Sequence, residues 1–290
     1  MLNVRLIPRL DIKGPNLVKG VHLEGLRVLG KPEHFARHYD DEGADELIFV
    51  DVVASLYGRN SLTDIIRRTA SEIFIPLTVG GGLRSLDDIR DVLRAGADKV
   101  ALNTAAVGRP ELVREASRRF GSSTIVVSIE AVRRGDRWEA YTDNGRERTG
   151  LDAVTWAHRV VELGAGELLV TSVDREGTGT GFDLDLVRRI AESVPVPVIA
   201  SGGAGSTQHI GEAFLAGRAD AVAVASMAHY HLVKHNAVEA EFAPELNTAH
   251  LRLGRGFSRV QDESLGEIQR QLEKLGIACL HRRGQETQSP

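Results

Sequence analysis

The feature that most constrains this chain is a repeat at half its working length. The run "DVVAS" from Asp51, followed by "IPLTVGGGLRSLDDI" and "LRAGADKVALNTA", is echoed by "TSVDREG", "VPVIASGGAGSTQHI" and "LAGRADAVAVASMA". Ser172 stands 121 positions beyond Asp51, and Gly202 and Gly203 stand 121 beyond Gly81 and Gly82. A period of this kind implies two structural halves related by a pseudo-twofold axis. Every functional feature should therefore occur twice.

Within each half, short β-branched runs alternate with amphipathic segments. The strand candidates are "RLIPRLD", "ELIFVDV", "IPLTV", "KVALN", "TIVVSIE", "ELLVTSV", "VPVIA" and "AVAVAS". Segments such as "SLDDIRDVLRAG" and "TQHIGEAFLAG" lie between them, opened by Ser, Asp or Pro and closed by Gly, as helix ends require. Eight strands with helical crossovers predict an α/β fold, a (β/α)8 TIM barrel made of two half-barrel repeats, over an open doubly wound sheet. The expected organisation is a barrel core over 1–232, with halves of about 1–121 and 122–232. An irregular insertion over 233–263, a closing helix over 264–276 and a flexible tail over 277–290 follow.

Composition narrows the function. The chain has 290 residues, 42% of them hydrophobic, enough to bury a large core. A formal charge of −4 gives no general drive towards nucleic acid or an anionic membrane, so anions must be bound locally. One cysteine, Cys279, excludes an intrachain disulfide framework and a cysteine-rich zinc site. No run approaches the ~20 apolar residues of a spanning helix, and "MLNVRLIPRL" lacks a signal-peptide core. The expectation is a soluble cytoplasmic protein without cofactor or metal.

Chemistry in a βα barrel belongs where strands end. Gly80-Gly81-Gly82 ends strand three and Gly202-Gly203 ends strand seven, each just before a helix start, where backbone N–H groups and the helix terminus favour an anion. Small polar residues follow one unit later, Asn103 and Thr104 after strand four and Ser226 after strand eight. Two such sites across one mouth predict an elongated ligand with a phosphate at each end. Between them Asp11 and Glu130 end the opposed strands one and five, a pair able to divide general acid and base work. Asp51, Asp174, Glu176, Thr171 and Ser201, also at strand ends, are candidates for holding ligand hydroxyls. The segment "IKGPNLVKGVHLEGLRVLG" reads as a long loop that closes over the substrate and carries Lys19. At the opposite rim Arg5, Glu46, Lys99 and Glu167 each precede an apolar run, two charges of each sign that can pair into a neutral ring.

With these residues placed, the chain resembles the cyclase subunits of imidazole glycerol phosphate synthase over roughly 1–232. The resemblance rests on Ile7-Pro8, Asp11, "LVKG", "VGGG", "AGADKV" with "NTAA", "WEAYTDNGRERTGLDA", "TSVDREGTGTGFD", "IASGGAG" and "EAFLAG". It implies joining ammonia to a bisphosphorylated formimino-aminoimidazole carboxamide ribonucleotide, giving imidazole glycerol phosphate and aminoimidazole carboxamide ribotide. It also implies a glutaminase subunit at the N-terminal face of the barrel, with Arg5, Glu46, Lys99 and Glu167 as an ammonia gate and Asp98 at the interface. Four positions depart from that family: Glu130 and Glu176 replace aspartates, Arg9 stands where cysteine is common, and Val132 replaces a lysine. These departures leave two alternatives open: delivery of glutaminase-derived ammonia to an activated sugar, as "GVHLEGLRVLG" and "ASLYGRNSL" suggest for a surface-polysaccharide branch, or a catalytically impaired barrel that binds and activates a glutaminase.

Overall fold

The computed structural model describes residues 4–54, 62–235 and 259–280. Among them, eight parallel strands close a barrel: β1 (Arg5–Lys13), β4 (Leu47–Asp51), β5 (Leu77–Gly80), β6 (Lys99–Leu102), β7 (Ile125–Arg134), β10 (Glu167–Ser172), β11 (Val198–Ser201) and β12 (Ala221–Val224). Each pairs with the next in that order, and β12 returns to β1 through Arg5↔Ala221. Strands β1 and β7 therefore face each other across the axis.

The period of two sorts each strand into an inner and an outer face. Ile7, Ile48, Val126, Leu169, Ile199 and Ala221 point inwards and form a dry layer across the interior. The alternate residues, among them Leu6, Leu10, Phe49, Val127, Leu168 and Val198, face the helices in one continuous outer core. Truncating an inner residue such as Leu169, 1% exposed, to alanine would cost about 2–5 kcal/mol, because the surrounding strands cannot collapse into the space.

Helix starts obey the repeat. Ser85 caps α3 (Leu86–Arg94) in a capping box with Asp88, and Ser206, its mate 121 positions on, caps α8 (Thr207–Leu215). The repeat also holds in backbone detail. Gly81 and Gly202 have φ of 97° and 89°. A Cβ on Gly81 would lie 2.3 Å from Asp51 O, and one on Gly202 would lie 2.7 Å from Ser172 O, the corresponding atom of the other half.

Three differences from expectation concern the connections. The long segment after strand one is not a loop: β1 runs on to Lys13 and pairs antiparallel with β2 (Asn16–Val21), which pairs with β3 (Glu24–Gly30). The same excursion follows strand five, where β7 pairs with β8 (Arg137–Thr142) and β8 with β9 (Glu147–Asp152). Extended pairing satisfies the backbone groups that a loop of this length would leave to water. At the C-terminal end, α9 (Ser226–His235) continues past residue 232, and closing helix α10 (Leu265–Lys274) leads into buried Ile277 and Cys279, the latter bridging to Val4. Residues 236–258, most of "ASLYGRNSL" and 281–290 lie outside the described residues.

Candidate active site

Asp11 and Glu130, on the facing strands, are 4% and 6% exposed, so two carboxyl groups lie largely buried inside the mouth. Their surroundings differ. Arg9 Nε donates to Asp11 Oδ1 at 3.0 Å. Glu130 Oε2 accepts from Gly145 N at 2.7 Å, in the turn between β8 and β9. Burial pushes Glu130 up to about 7, an effect that Arg9 and the Gly145 N–H oppose and the negative charges of Asp11 and Asp143 reinforce. A carboxyl titrating near neutrality can exchange a proton in either direction at physiological pH.

Lys19, expected on a mobile lid, is instead carried by β2 into the barrel mouth. It is 4% exposed and ion-paired with Glu176, and it donates to Gly20 O at 3.0 Å. Burial raises the cost of charging Glu176, but Lys19 and Arg9 more than offset this and leave its carboxyl below the usual range. Lys19 is likewise held above its usual value, since Glu176 and Asp11 outweigh its desolvation.

The two glycine turns border different spaces. Beside Gly81 and Gly82 lies a cavity of about 290 Å³, walled by Asp51, Asn103, Thr104 and Glu130. The cavity beside Gly202, Gly203 and Ser226 measures about 20 Å³, room for a single water molecule, because Arg9, Lys19 and Glu176 fill the rest. Part of the expected binding chemistry is committed within the protein. Thr171 Oγ1 and Ser201 Oγ accept from Arg9 Nη1 at 3.1 and 3.3 Å, and Thr104 Oγ1 accepts from Asp143 N at 3.1 Å. Asn103 Nδ2 donates to Tyr141 O at 3.3 Å, and Asp51 Oδ1 accepts from Val53 N at 3.1 Å. Asp174, just beyond β10, is exposed and accepts from Arg133 N at 2.7 Å.

At the opposite rim the four charges form a closed ring. Arg5 Nη1 and Nη2 reach Glu46 Oε1 and Glu167 Oε1, both at 2.6 Å, and Lys99 Nζ lies 2.9 Å from Glu46 Oε2 and from Glu167 Oε2. Each cation touches both acids. Asp98 is exposed beside them, its Oδ2 accepting from Leu77 N at 2.8 Å; Asp220, in the other half, does the same for Val198 N at 2.8 Å.

Several residues of the mouth carry no prominent sequence signal. Asn144, 9% exposed, holds Leu23 O at 3.2 Å, and Arg84 and Arg109 line the larger cavity. The Asn-Gly pair at 144–145 is a hairpin-turn signal that places Asn144, and the cavity arginines sit one turn from the glycine and Asn-Thr motifs. His229 sits beneath the site, fully buried, between Tyr39 Oη at 2.6 Å and Arg9 O at 3.0 Å. Burial pushes it down to about 3, so its ring is neutral and Nε2–H donates to the Arg9 carbonyl. Apart from the mouth, His231, His235 and Asp262 come together on the outside of the barrel, where Asp262 is ion-paired with Lys234.

A closed barrel of two equivalent halves, with glycine turns at matched strand ends and unlike acids between them, defines a (β/α)8 enzyme of the half-barrel class. The family described as "Histidine biosynthesis protein" matches residues 5–234. The chain is 60% identical over 209 residues to the imidazole glycerol phosphate synthase subunit HisF of Legionella pneumophila, covering 72% of this chain and 99% of that relative. It is 53% identical over 240 residues to the subunit of the same name from Myxococcus xanthus (strain DK1622), covering 83% of this chain and 95% of the relative. This chain belongs to the histidine biosynthesis family and is of the HisF type.

Proposed function

We propose that this barrel is the ammonia-using cyclase subunit of imidazole glycerol phosphate synthase. It takes up a bisphosphorylated formimino-aminoimidazole carboxamide ribonucleotide with ammonia and releases imidazole glycerol phosphate and aminoimidazole carboxamide ribotide. The observation that carries the chemistry is the Asp11–Glu130 pair, two buried carboxyls on facing strands with different partners. Ring formation requires protons to be removed from the attacking nitrogen and supplied to the departing groups, and unlike acids on opposite sides of one ligand can do both.

The phosphate at one end would lie at Gly81, Gly82, Asn103 and Thr104, where the larger cavity already has room. The phosphate at the other would lie at Gly202, Gly203 and Ser226, which requires side chains there to withdraw. Lys19 would supply the cation facing the ligand, and Asp51, Thr171, Ser201 and Glu176 its polar frame.

A glutaminase partner supplies the ammonia in this reading, docking at the N-terminal rim. What supports that face is the ring of Arg5, Glu46, Lys99 and Glu167 at the barrel axis. Around it the rim exposes Phe74 (88%), Leu215 (60%) and Leu275 (53%), apolar anchors of the kind that protein interfaces use. Asp98 lies on the same rim.

The direct test is purified protein with ammonium salt and the bisphosphorylated ribonucleotide, followed by loss of substrate absorbance. Turnover that disappears in Asp11→Asn supports the reading; tight binding without turnover, in wild type as in the variant, refutes it.

A further inference from the structure

The residue that most distinguishes this site is Arg9. An arginine within an apolar strand run would ordinarily point out to solvent; here it points into the barrel and is 4% exposed. It occupies the level between the dry layer of Ile7, Ile48 and Leu169 and the carboxyls above. Its guanidinium reaches from β1 to β10 and β11, with Nη1 donating to Thr171 and Ser201 and Nε to Asp11. Its backbone is fixed too, since the carbonyl accepts from His229. A guanidinium held by three partners on a backbone that is itself pinned is a fixed charge and not a mobile one.

Its bonds are unequal across the mouth. Arg9 gives a hydrogen bond to Asp11 and none to Glu130, although both acids feel its charge. We infer that Arg9 is the positioning residue that makes the two opposed acids chemically unequal, tying Asp11 into an ion pair and leaving Glu130 as the group that exchanges protons with the substrate. The inference rests on the cyclase reading of the site and adds to it the residue that assigns the two roles.

The groups that face Glu130 define what else acts on it. From β1 these are Arg9 and Asp11, and from the β8–β9 turn they are Asp143 and the Gly145 N–H. On β10 its register partner is Thr171, which is uncharged and already bonded to Arg9. Arg9 is therefore the cation that restrains Glu130 from within the barrel, and removing it leaves Asp11 and Asp143 opposed by the Gly145 N–H alone.

The test reads Glu130 directly, by carbon-13 titration of its side-chain carboxyl in the whole protein, with Glu130→Gln identifying the resonance. The wild-type midpoint is expected near pH 7. In Arg9→Gln it should rise by about one pH unit or more, the size of shift an opposite charge at short range produces, while Arg9→Lys should retain most of the wild-type value. In Asp11→Asn the freed guanidinium and the lost negative charge should both move the midpoint down, a second measurement that stands if Arg9→Gln fails to fold. Ammonium-driven turnover should follow, with kcat reduced about 10²-fold in Arg9→Gln, its pH profile displaced upwards, and KM changed far less.

An unchanged Glu130 midpoint in folded Arg9→Gln, or in Asp11→Asn, overturns the inference. Failure of the cyclase reading gives a different pattern, in which no protein turns over the ribonucleotide yet the midpoint still moves when Arg9 is removed.

Discussion

Lys19 on β2 and Glu176 in the turn after β10 are joined by an ion pair whose side chains are only 3% and 8% exposed. The pair spans the mouth and ties the strand excursion of the first half to the barrel end of the second. Replacing Lys19 by methionine should leave Glu176 buried without its bonded ion-pair partner, with the charge of Arg9 still acting on it. The expected result is a loss of about 3–5 kcal/mol in urea unfolding, together with loss of turnover. Glu176→Asp should be milder in stability, but it withdraws the carboxylate by about 1.5 Å, one carbon–carbon bond. A fall in kcat approaching 10²-fold is expected from misplacement on that scale.

Glu130 gives the barrel a pH signature. Its folded value is raised from 4.5 to about 7, so the native state holds the proton more tightly than the unfolded chain. Stability from this group is full below pH 4.5 and is lost as pH rises through 7, on the order of 3 kcal/mol in all. Glu130→Gln should flatten that decline and be more stable than wild type at pH 8, while abolishing turnover. Urea midpoints at pH 5 and pH 8 measure the first effect and an ammonium-driven assay the second.

His229 acts in the opposite direction. Its folded value, lowered from 6.5 to about 3, means that the unfolded chain takes up the proton first, so stability falls as pH drops below 6.5. His229→Phe should remove that acid limb. At pH 8 it should cost about 1–3 kcal/mol for each group left unpaired, namely the Tyr39 hydroxyl and the Arg9 carbonyl. Thermal unfolding at pH 5 and pH 8 separates the two effects.

The charged ring predicts a response to a small change. Glu167→Gln keeps the shape but removes one of the two acids that each cation touches; Arg5 and Lys99 keep Glu46, so urea unfolding should show a loss smaller than the ~3–5 kcal/mol of a fully unpaired buried charge. If ammonia enters at the lower end as proposed, the substitution should also change glutamine-driven turnover, measured with a glutaminase partner present, more than ammonium-driven turnover. Equal changes in both would remove the ring from the ammonia path.

The glycine turns should separate by space. Gly203 has φ of 110°, and a Cβ there would lie 2.1 Å from Gly181 O, so Gly203→Ala should disturb the backbone and raise KM sharply. Gly82, with φ of 73°, lies in the left-handed region, where alanine is strained by roughly 1–2 kcal/mol. Gly82→Ala should fold and raise KM more modestly, as initial rates against substrate concentration would show.

Much of this architecture was legible from residue spacing. The eight apolar runs, the 121-residue offset and the charges before four of those runs led to the barrel, its matched turns and its ring, because period-two burial and strand ends leave regular marks. The excursions β2–β3 and β8–β9 were not legible. Short strands such as "NLVKGV" and "RWEAYT" are broken by glycine and polar residues, and their pairing depends on β1 and β7 running past the barrel rim. The role of Arg9 was hidden for another reason. Its partners Thr171 and Ser201 lie 162 and 192 positions away, a separation that only closure of the barrel brings to hydrogen-bond distance.

The ring at the lower rim has one consequence for control. Arg5 and Lys99 are both held above their usual values, the acids they touch outweighing the burial that opposes them. Both cations are thus more firmly charged in the folded barrel than in the free side chain, so the ring is held by standing charges on Arg5 and Lys99. Two cations each bridge two acids, so opening this end of the barrel requires a side chain to swing away from both partners at once. On the proposed docking of a glutaminase at this rim, a contact that draws one of these side chains aside would be a mechanical signal.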